Sequence, residues 1–498
     1  MSKTESSAPE KSSLGVRISA ILITIVTLGL AAFFGYQLIT KQGVFRTPGQ
    51  IIFDETASTT DRDFITANLG EIELNADVTI ATASSYTKLP ADSSHVLYDI
   101  LVPTTTFGAG ISSITESEIE DYSLLSIWDL TSQVKLLAID DQYYLDTFAS
   151  GAVFQYYVLT GEPADILKVN EQLTQSIDPF PSSDTVLTFA QTGVTALSRG
   201  MNAKLIDTGN DGAYFAAKIG DFLSSFDLTH TSNEASFSDA APTASHSMTI
   251  CSYPGMVGAL TGIGLDIVEL TGNHNQDCGD QAALDTIDQY TALGIQMVGG
   301  GKTADAAAIP LEISEKGTGI TMLAYNLSTG GYTLDNTPGA NFYREADALA
   351  NITAAKERGD IVIIDIQYYE CSTYVSTVED NTCDYADSSY GDQIGFFRSL
   401  IDMGADIVVG TAAHQPQTFE LYHNGAIYYG LGNLFFDQYH WPGTTRSLVL
   451  VHYFYRNKLL QTRLVPTVYD SSFQTELMDA TAAASFIDRL YSVRPKEP

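Results

Sequence analysis

The chain reads as an α/β protein in which one large layered domain follows a smaller α/β domain and, ahead of both, a transmembrane helix. Three observations predict that order. Beyond residue 185, short and nearly all-apolar runs alternate with helical patterns, as a sheet covered on both faces requires. Between residues 51 and 178, apolar and β-branched runs are broken by Asp- and Ser-rich joints, the punctuation of short strands. Residues 18–40 are uncharged and mostly aliphatic, long enough as a helix to cross a hydrocarbon core of roughly 30 Å.

Taken in order, residues 1–17 read as a cytoplasmic tail and residues 18–40 as an uncleaved signal anchor. Lys3, Lys11 and Arg17 precede the run, with Glu5 and Glu10 among them, and Lys41 and Arg46 follow it. Three cations against two favour an inside N-terminus. A cleaved signal peptide is the competing reading; the length of the run and the lack of a small-x-small site closing it stand against that. The expected placement is a single-pass protein of the cell membrane, held through residues 18–40, with its C-terminal domains outside the cytoplasm. A polar tether at residues 41–50 leads into the 51–178 domain, where DVTIATAS, SHVLYDILVP and QVKLLAID precede a helical stretch over Ala164–Gln175. No residue set there points to a pocket, and its role is open. IDPFPSSD, residues 177–184, marks the boundary with two prolines and two serines.

In the large domain, strands are expected at 185–196, 265–272, 295–300, 319–326, 360–367, 405–411, 426–433, 447–455 and 458–466. Helical patterns fall at 213–225, 281–293, 342–358 and 391–403, and residues 469–498 form a C-terminal extension with a closing helix over 474–493.

The balance of 60 Asp+Glu against 25 Lys+Arg gives a net charge of -35. It excludes nucleic acid as a partner and a body lying on anionic lipid. Four cysteines, Cys251, Cys278, Cys371 and Cys383, lie in the second half; outside the cytosol an even count permits two disulfides. Cys371 with Cys383 and Cys251 with Cys278 is the expected pairing, with other pairings open. The absence of a Cys-x-x-Cys unit argues against a structural zinc site.

In α/β sheets, ligands gather beyond the carboxyl ends of strands. Four such ends carry polar residues: Asn273, His274 and Asp277 in ELTGNHNQDCG; Gln367 and Glu370 in IIDIQYYEC; His414 and Gln417 in VVGTAAHQPQ; Asn433 and Asp437 in YYGLGNLFFDQ. Singly, each reads as a turn former or a satisfied loop residue. Together they form a candidate site, since imidazole and amide oxygen can share a divalent metal and imidazole can carry a proton.

At these residues the chain resembles the poly-gamma-glutamate capsule synthesis (CapA) family over about residues 185–468. Gly193, Val194 and Arg199 fall on the family's opening Gly-Asp and Arg, and Ser232 and Glu234 on its Asn-x-Glu, after Asp227, Leu228 and Thr229. Gly272, Asn273, His274, Asp277 and Gly279 match its Asn-Asn-His-x-x-Asp-x-Gly, and Gln367 to Cys371 its His-Trp-Gly-x-Glu. Gly410 to His414 match Gly-His-x-Pro-His, and Tyr429 to Asp437 the Tyr-Ser-Leu-Gly-Asn-Phe-x-Phe-Asp element. The resemblance implies a variant of the metallophosphatase-like, calcineurin-type fold, a four-layer αββα sandwich with two facing sheets. The departures bear on chemistry. Val194 replaces the aspartate able to bridge two cations, Gln367 replaces a histidine, and Thr411 or Ala412 the first of the late histidines. Two-metal hydrolysis needs both ions held a few Å apart. Asn273, His274, His414 and Asp277 leave room for at most one divalent ion, Zn²⁺, Mn²⁺ or Ca²⁺.

The reading that follows is a CapA-like cell-envelope protein that helps to make, anchor or bind an extracellular polymer, with the polymer or its biosynthetic machinery as partner. If it catalyses, His274 or His414 carries the proton, Asn273 contacts an oxyanion or metal, and Glu234 supplies a carboxylate. A net charge of -35 opposes a polyanion over the general surface. The alternatives are a metal-dependent hydrolase or phosphoesterase, and a non-catalytic carbohydrate- or peptide-binding scaffold using Gln367, Tyr368, Tyr369, Glu370, His414, Gln417 and Asn433.

Overall fold

Burial and strand pairing are given by a computed structural model, which describes residues 48–85, 92–327, 330–333, 336–368, 392–440 and 443–495. The residues 18–40 lie outside this set, and among the described residues no helix is long and apolar enough to cross a membrane. The architecture is corrected as far as the described residues go: they supply α/β units and no membrane-crossing helix, and the span, placement and membrane partnership expected from residues 18–40 lie outside them. Its longer helices have 14 residues and polar faces, as in Asp280–Leu293, about 21 Å at 1.5 Å per residue.

Two compact units result. The smaller takes residues 48–84, 92–98 and 155–178; the larger takes residues 99–154 and 179–495. In the smaller, strands Ile51–Phe53 and Val78–Ser85 pair in parallel, and helices Thr59–Leu69 and Pro163–Ser176 close a core of Ile65, Leu69, Val78, Ile80, Val169 and Leu173. Ser58 starts the first helix through a capping box: its hydroxyl accepts from the Asp61 amide while Asp61 accepts from the Ser58 amide.

In the larger unit, strand β1 (His95–Thr106) enters at Asp99 and pairs antiparallel with β2 (Ser123–Ser126) and β3 (Val134–Leu136). Residues 99–154 thus group with the chain that follows Pro179, whereas the sequence places them with residues 51–98. One cause is side-chain recognition across more than 300 residues. The Gln461 amide accepts from Leu136 N at 2.8 Å and donates to Val134 O at 3.2 Å.

Two sheets form the body of this unit. The first is built from β4 (Leu187–Ala196), β5 (Leu228–Asn233), β6 (Ile267–Glu269) and β7 (Gln296–Val298), all parallel. The second is built from β8 (Leu311–Glu315), β9 (Thr318–Asn326), β10 (Ile361–Gln367), β11 (Ile407–Gly410), β12 (Phe419–Tyr422) and β13 (Gly425–Tyr428), ordered β8-β9-β10-β11-β13-β12 with antiparallel edges. The chain then returns to the first sheet as β14 (Asn433–Phe436), β15 (Arg446–Tyr455), β16 (Lys458–Val468) and β17 (Glu476–Leu477), giving β7-β6-β5-β4-β15-β16-β17 with β14 beside β4.

Inward residues of both sheets share one core, including Phe189, Ile267, Met322, Ile363, Val409 and Leu450. Outside the second sheet, α3 (Glu345–Arg358) and α4 (Gln393–Asp402) bury Ile352, Phe397 and Leu400 against Val362, Ile364 and Val408. Outside the first, α2 (Asp280–Leu293) brings Tyr290, whose hydroxyl accepts from Asn233 Nδ2 at 2.7 Å. Before it, α1 (Gly200–Asp207) follows β4, and α5 (Ala480–Ser492) closes the unit. The closing helix starts at Ala480 rather than 474, because the Asp479 carboxylate caps the amides of Thr481 and Ala482.

The strand expected over 426–433 is two strands in different sheets. Gly432, with φ 76°, turns the chain between them, a conformation that glycine adopts without steric cost. The turn lies so close to β4 that a Cβ on Gly193 would sit 2.0 Å from Gly432 O.

Within the shared core, composition changes along each strand. With period two, the inward row runs Leu187, Phe189, Gln191 on β4 and Leu228, His230, Ser232 on β5. It runs Ile267, Glu269 on β6; Ile361, Ile363, Asp365, Gln367 on β10; and Ile407, Val409, then Thr411 on β11. The apolar members occupy the common core, and the polar members are buried as well. The interface between the sheets is therefore hydrocarbon at one end and polar where the parallel strands finish.

Candidate functional site

Gln367, the last residue of β10, is the junction of the polar end. Its Nε2 donates to Glu234 Oε1 at 3.0 Å and to Asn273 Oδ1 at 3.1 Å, and its Oε1 accepts from the Thr411 hydroxyl at 3.2 Å. One amide thereby ties the ends of β5, β6, β10 and β11. Glu234 is wholly buried, and an ionised carboxylate there requires such donors. A glutamine suits this position because it offers donor and acceptor together.

The two histidines are held in separate pairs. His274 Nδ1 lies 2.8 Å from Asp277 Oδ2, which also accepts from Ile250 N at 2.8 Å. The expected disulfide between Cys251 and Cys278 is present and fixes this loop against residues 251–252. His414, buried, has Nδ1 2.9 Å from Asn433 Oδ1. Asn433 Nδ2 donates to Gln438 Oε1 at 3.1 Å and Thr444 O at 3.2 Å, which sets the amide's orientation. His414 Nδ1 must then be the donor, so in the neutral ring the lone pair lies on Nε2. The His414 ring also packs on Phe436 at 5.0 Å, and the Arg199 guanidinium lies 4.9 Å from that same ring.

Gln417 accepts from Gln393 Nε2 at 3.1 Å. Tyr368 packs in the core between the second sheet and its helices, stacked on Phe396 at 5.8 Å. Asp437 accepts from Gly200 N at 2.9 Å; burial pushes its carboxyl up, opposed by that amide. Tyr369, Glu370 and the Cys371–Cys383 pair lie outside the described residues.

Beneath the junction lies a buried group that sequence reasoning missed. Asp365 accepts from Gln191 Nε2 at 2.5 Å and lies 3.0 Å from His230 Nε2. Gln191 Oε1 lies 3.3 Å from His452 Nε2, and His452 Nδ1 2.9 Å from the Thr462 hydroxyl. Glu269 Oε1 accepts from Thr271 N at 2.6 Å and from the Thr271 hydroxyl. Burial, reinforced by Asp365, holds the Glu269 carboxyl well above its usual range, and burial draws His452 down to about 3. The signal was a pair of polar residues two apart at the end of an apolar strand, Asp365 and Gln367 in IVIIDIQ.

A paired metal centre does not fit these residues. Val194 is buried beside β5 with no oxygen ligand to offer, and among the described residues no group of three or more His, Cys, Asp or Glu is arranged to hold an ion.

Residues 188–438 match the family described as "Bacterial capsule synthesis protein PGA_cap". The chain is 27% identical over 207 residues to "Capsule biosynthesis protein CapA" of Bacillus anthracis, covering 40% of this chain and 47% of that protein. It is 26% identical over 204 residues to "PGA biosynthesis protein CapA" of Bacillus subtilis (strain 168), covering 40% and 50%. A "Probable polyglutamine synthesis accessory protein" of Mycobacterium tuberculosis is 27% identical over 199 residues, 37% of this chain and 49% of that one. The chain thus spans about half the length of the curated relatives it matches.

Proposed function

Because the chain belongs to the bacterial capsule synthesis protein family, we propose that it serves in the cell envelope, binding a segment of an extracellular poly-γ-glutamate-like polymer during its synthesis or anchoring. The observation that carries this reading is the Gln367 junction, where side-chain amides from separate strands converge. An amide offers one donor and one acceptor edge, as does each amide bond of such a polymer. Recognition through amides also meets the charge difficulty. A chain of net charge -35 repels a polyanion over its general surface, whereas neutral partners need no excess of positive charge.

The test is calorimetric titration of the full chain with an oligo-γ-glutamate at low and high salt. Binding should tighten with salt, as screening relieves the repulsion, and Gln367→Leu, which releases the Asn273 amide and Thr411 hydroxyl that Gln367 orients, should weaken it by about tenfold in a variant that remains folded. No saturable binding at either salt concentration overturns the reading. A hydrolytic reading is favoured by one feature, the His274–Asp277 pair, which suits a proton carrier. New amine ends released by the wild type but not by His274→Ala would select it.

A further inference from the structure

A polar cavity of about 260 Å³ lies in the larger unit, lined by residues of β3, β16 and α5. It shares no lining residue with the Gln367 junction. Its size is below the roughly 300–1,000 Å³ usual for drug-sized ligands, which restricts an occupant to a small molecule.

Four charged groups line it: Lys135, Arg463, Asp141 and Asp146. Arg463 and Asp146 satisfy each other. The guanidinium donates to Asp146 Oδ2 at 2.7 Å and lies 5.0 Å from the Tyr143 ring, while Asp146 Oδ1 accepts from the Tyr453 hydroxyl. Lys135 has no such counterpart. Its ammonium donates to the neutral carbonyl of Ala109 at 2.6 Å and, among the described residues, enters no ion pair. The nearest compensation comes from Asp488, whose Oδ1 accepts from Gly110 N at 2.5 Å. Burial draws Lys135 down to about 8, with Asp488 opposing and Arg463 adding to the fall. Lys135 is half-buried; an ammonium partly withdrawn from water gains from a counter-ion, and it has three N–H donors. Only one of them is accounted for by Ala109 O. Backbone groups lie alongside: from Thr462 to Val465, β16 pairs with β15 along one edge, while β17 and Met478 cover the other edge from Pro466 to Val468.

We propose that this cavity binds the carboxylate group of a small molecule, with Lys135 as its counter-ion and Arg463 flanking it. The carboxylate supplies the charge that Lys135 lacks, and the Arg463–Asp146 pair keeps the second cation from being left alone when the cavity is empty.

Glutarate is the probe. Calorimetric titration of the full chain should give one saturable site, weakened by about tenfold or more in Lys135→Met and kept within a few-fold by Lys135→Arg, as expected when a charge-assisted bond is removed or retained. Gln367→Leu should leave glutarate binding unchanged, which separates this site from the polymer reading. In the unsubstituted protein, glutarate should also slow reductive methylation of Lys135 relative to exposed lysines. Absence of saturable binding, wild-type affinity in a folded Lys135→Met, or methylation of Lys135 at the same rate with and without glutarate would each overturn the assignment.

Discussion

Replacing Glu269 by glutamine tests the buried polar layer most directly. Glu269 is fully buried, and burial together with Asp365 and Glu234 raises its carboxyl, against the opposing bonds from Ser232 and Thr271. Its unfolded pKa is about 4.3, so between that value and the raised one the folded state holds a proton that the unfolded state has lost. Its contribution to stability is therefore complete below about pH 4.3 and falls as pH rises, by at most about 1.4 kcal/mol per pH unit, until the folded pKa is passed. Glutamine keeps the carbonyl that accepts from Thr271 and offers N–H groups in place of the acidic proton, with nothing to titrate. Relative to wild type, Glu269→Gln should gain stability steadily as pH rises above about 4.3 and level off beyond the folded pKa. Urea unfolding of the larger unit, followed by near-UV circular dichroism in half-unit pH steps, measures that difference. A difference flat with pH, or one that shrinks as pH rises, would refute the protonated assignment.

His452 carries the opposite sign. Kept neutral down to about 3 by burial and by His230, it contributes stability fully present above about pH 6.5 and lost as pH falls toward 3; in acid unfolding, His452→Gln should show a shallower decline over that window. Cys251 and Cys278 are 27 residues apart, a loop whose closure stabilises by roughly 3–4 kcal/mol. Replacing both by alanine should lower Tm in calorimetry and speed amide exchange in the loop holding Asn273 and His274. Gly432→Ala combines strain at φ 76° with a Cβ 2.6 Å from Arg446 O, whereas Gly209→Ala meets nothing within 4 Å at φ 75°. The first should cost well over ~1 kcal/mol and the second only about 1 kcal/mol, as read from paired denaturant titrations.

Much of the body was legible because its strands are near-continuous apolar runs. The patterns at 319–326 and 447–455 match β9 and β15 within one residue, and 281–293 matches α2. Where the reading failed, the cause was non-local. Residues 99–154 read as part of a local domain, but Lys458 Nζ donates to Trp128 O at 2.9 Å and Gln461 holds β3, contacts that no window of sequence contains. The helix expected over 213–225 is two short helices, Ala213–Ala216 and Gly220–Leu223, broken at residues 217–219; at Gly220, just past the break, a Cβ would lie 2.5 Å from Gly262 O, a close approach set by a partner helix, not by propensity.

Part of the polar cluster was legible in the sequence, and its pairing was not. Asn273, Gln367 and Glu234 do converge, yet His274 and His414 each close on a neighbour of their own. Gln367 stabilises the buried Glu234 as a hydrogen-bond donor. Placing a histidine at that position tests whether the amide junction holds Glu234. In Gln367→His, a neutral imidazole has one N–H to serve both Glu234 and Asn273, so one of these bonds is lost, worth about 1–3 kcal/mol if its partner stays buried. If urea unfolding instead finds the variant as stable as wild type at pH 7, the amide junction is not what holds Glu234 in place.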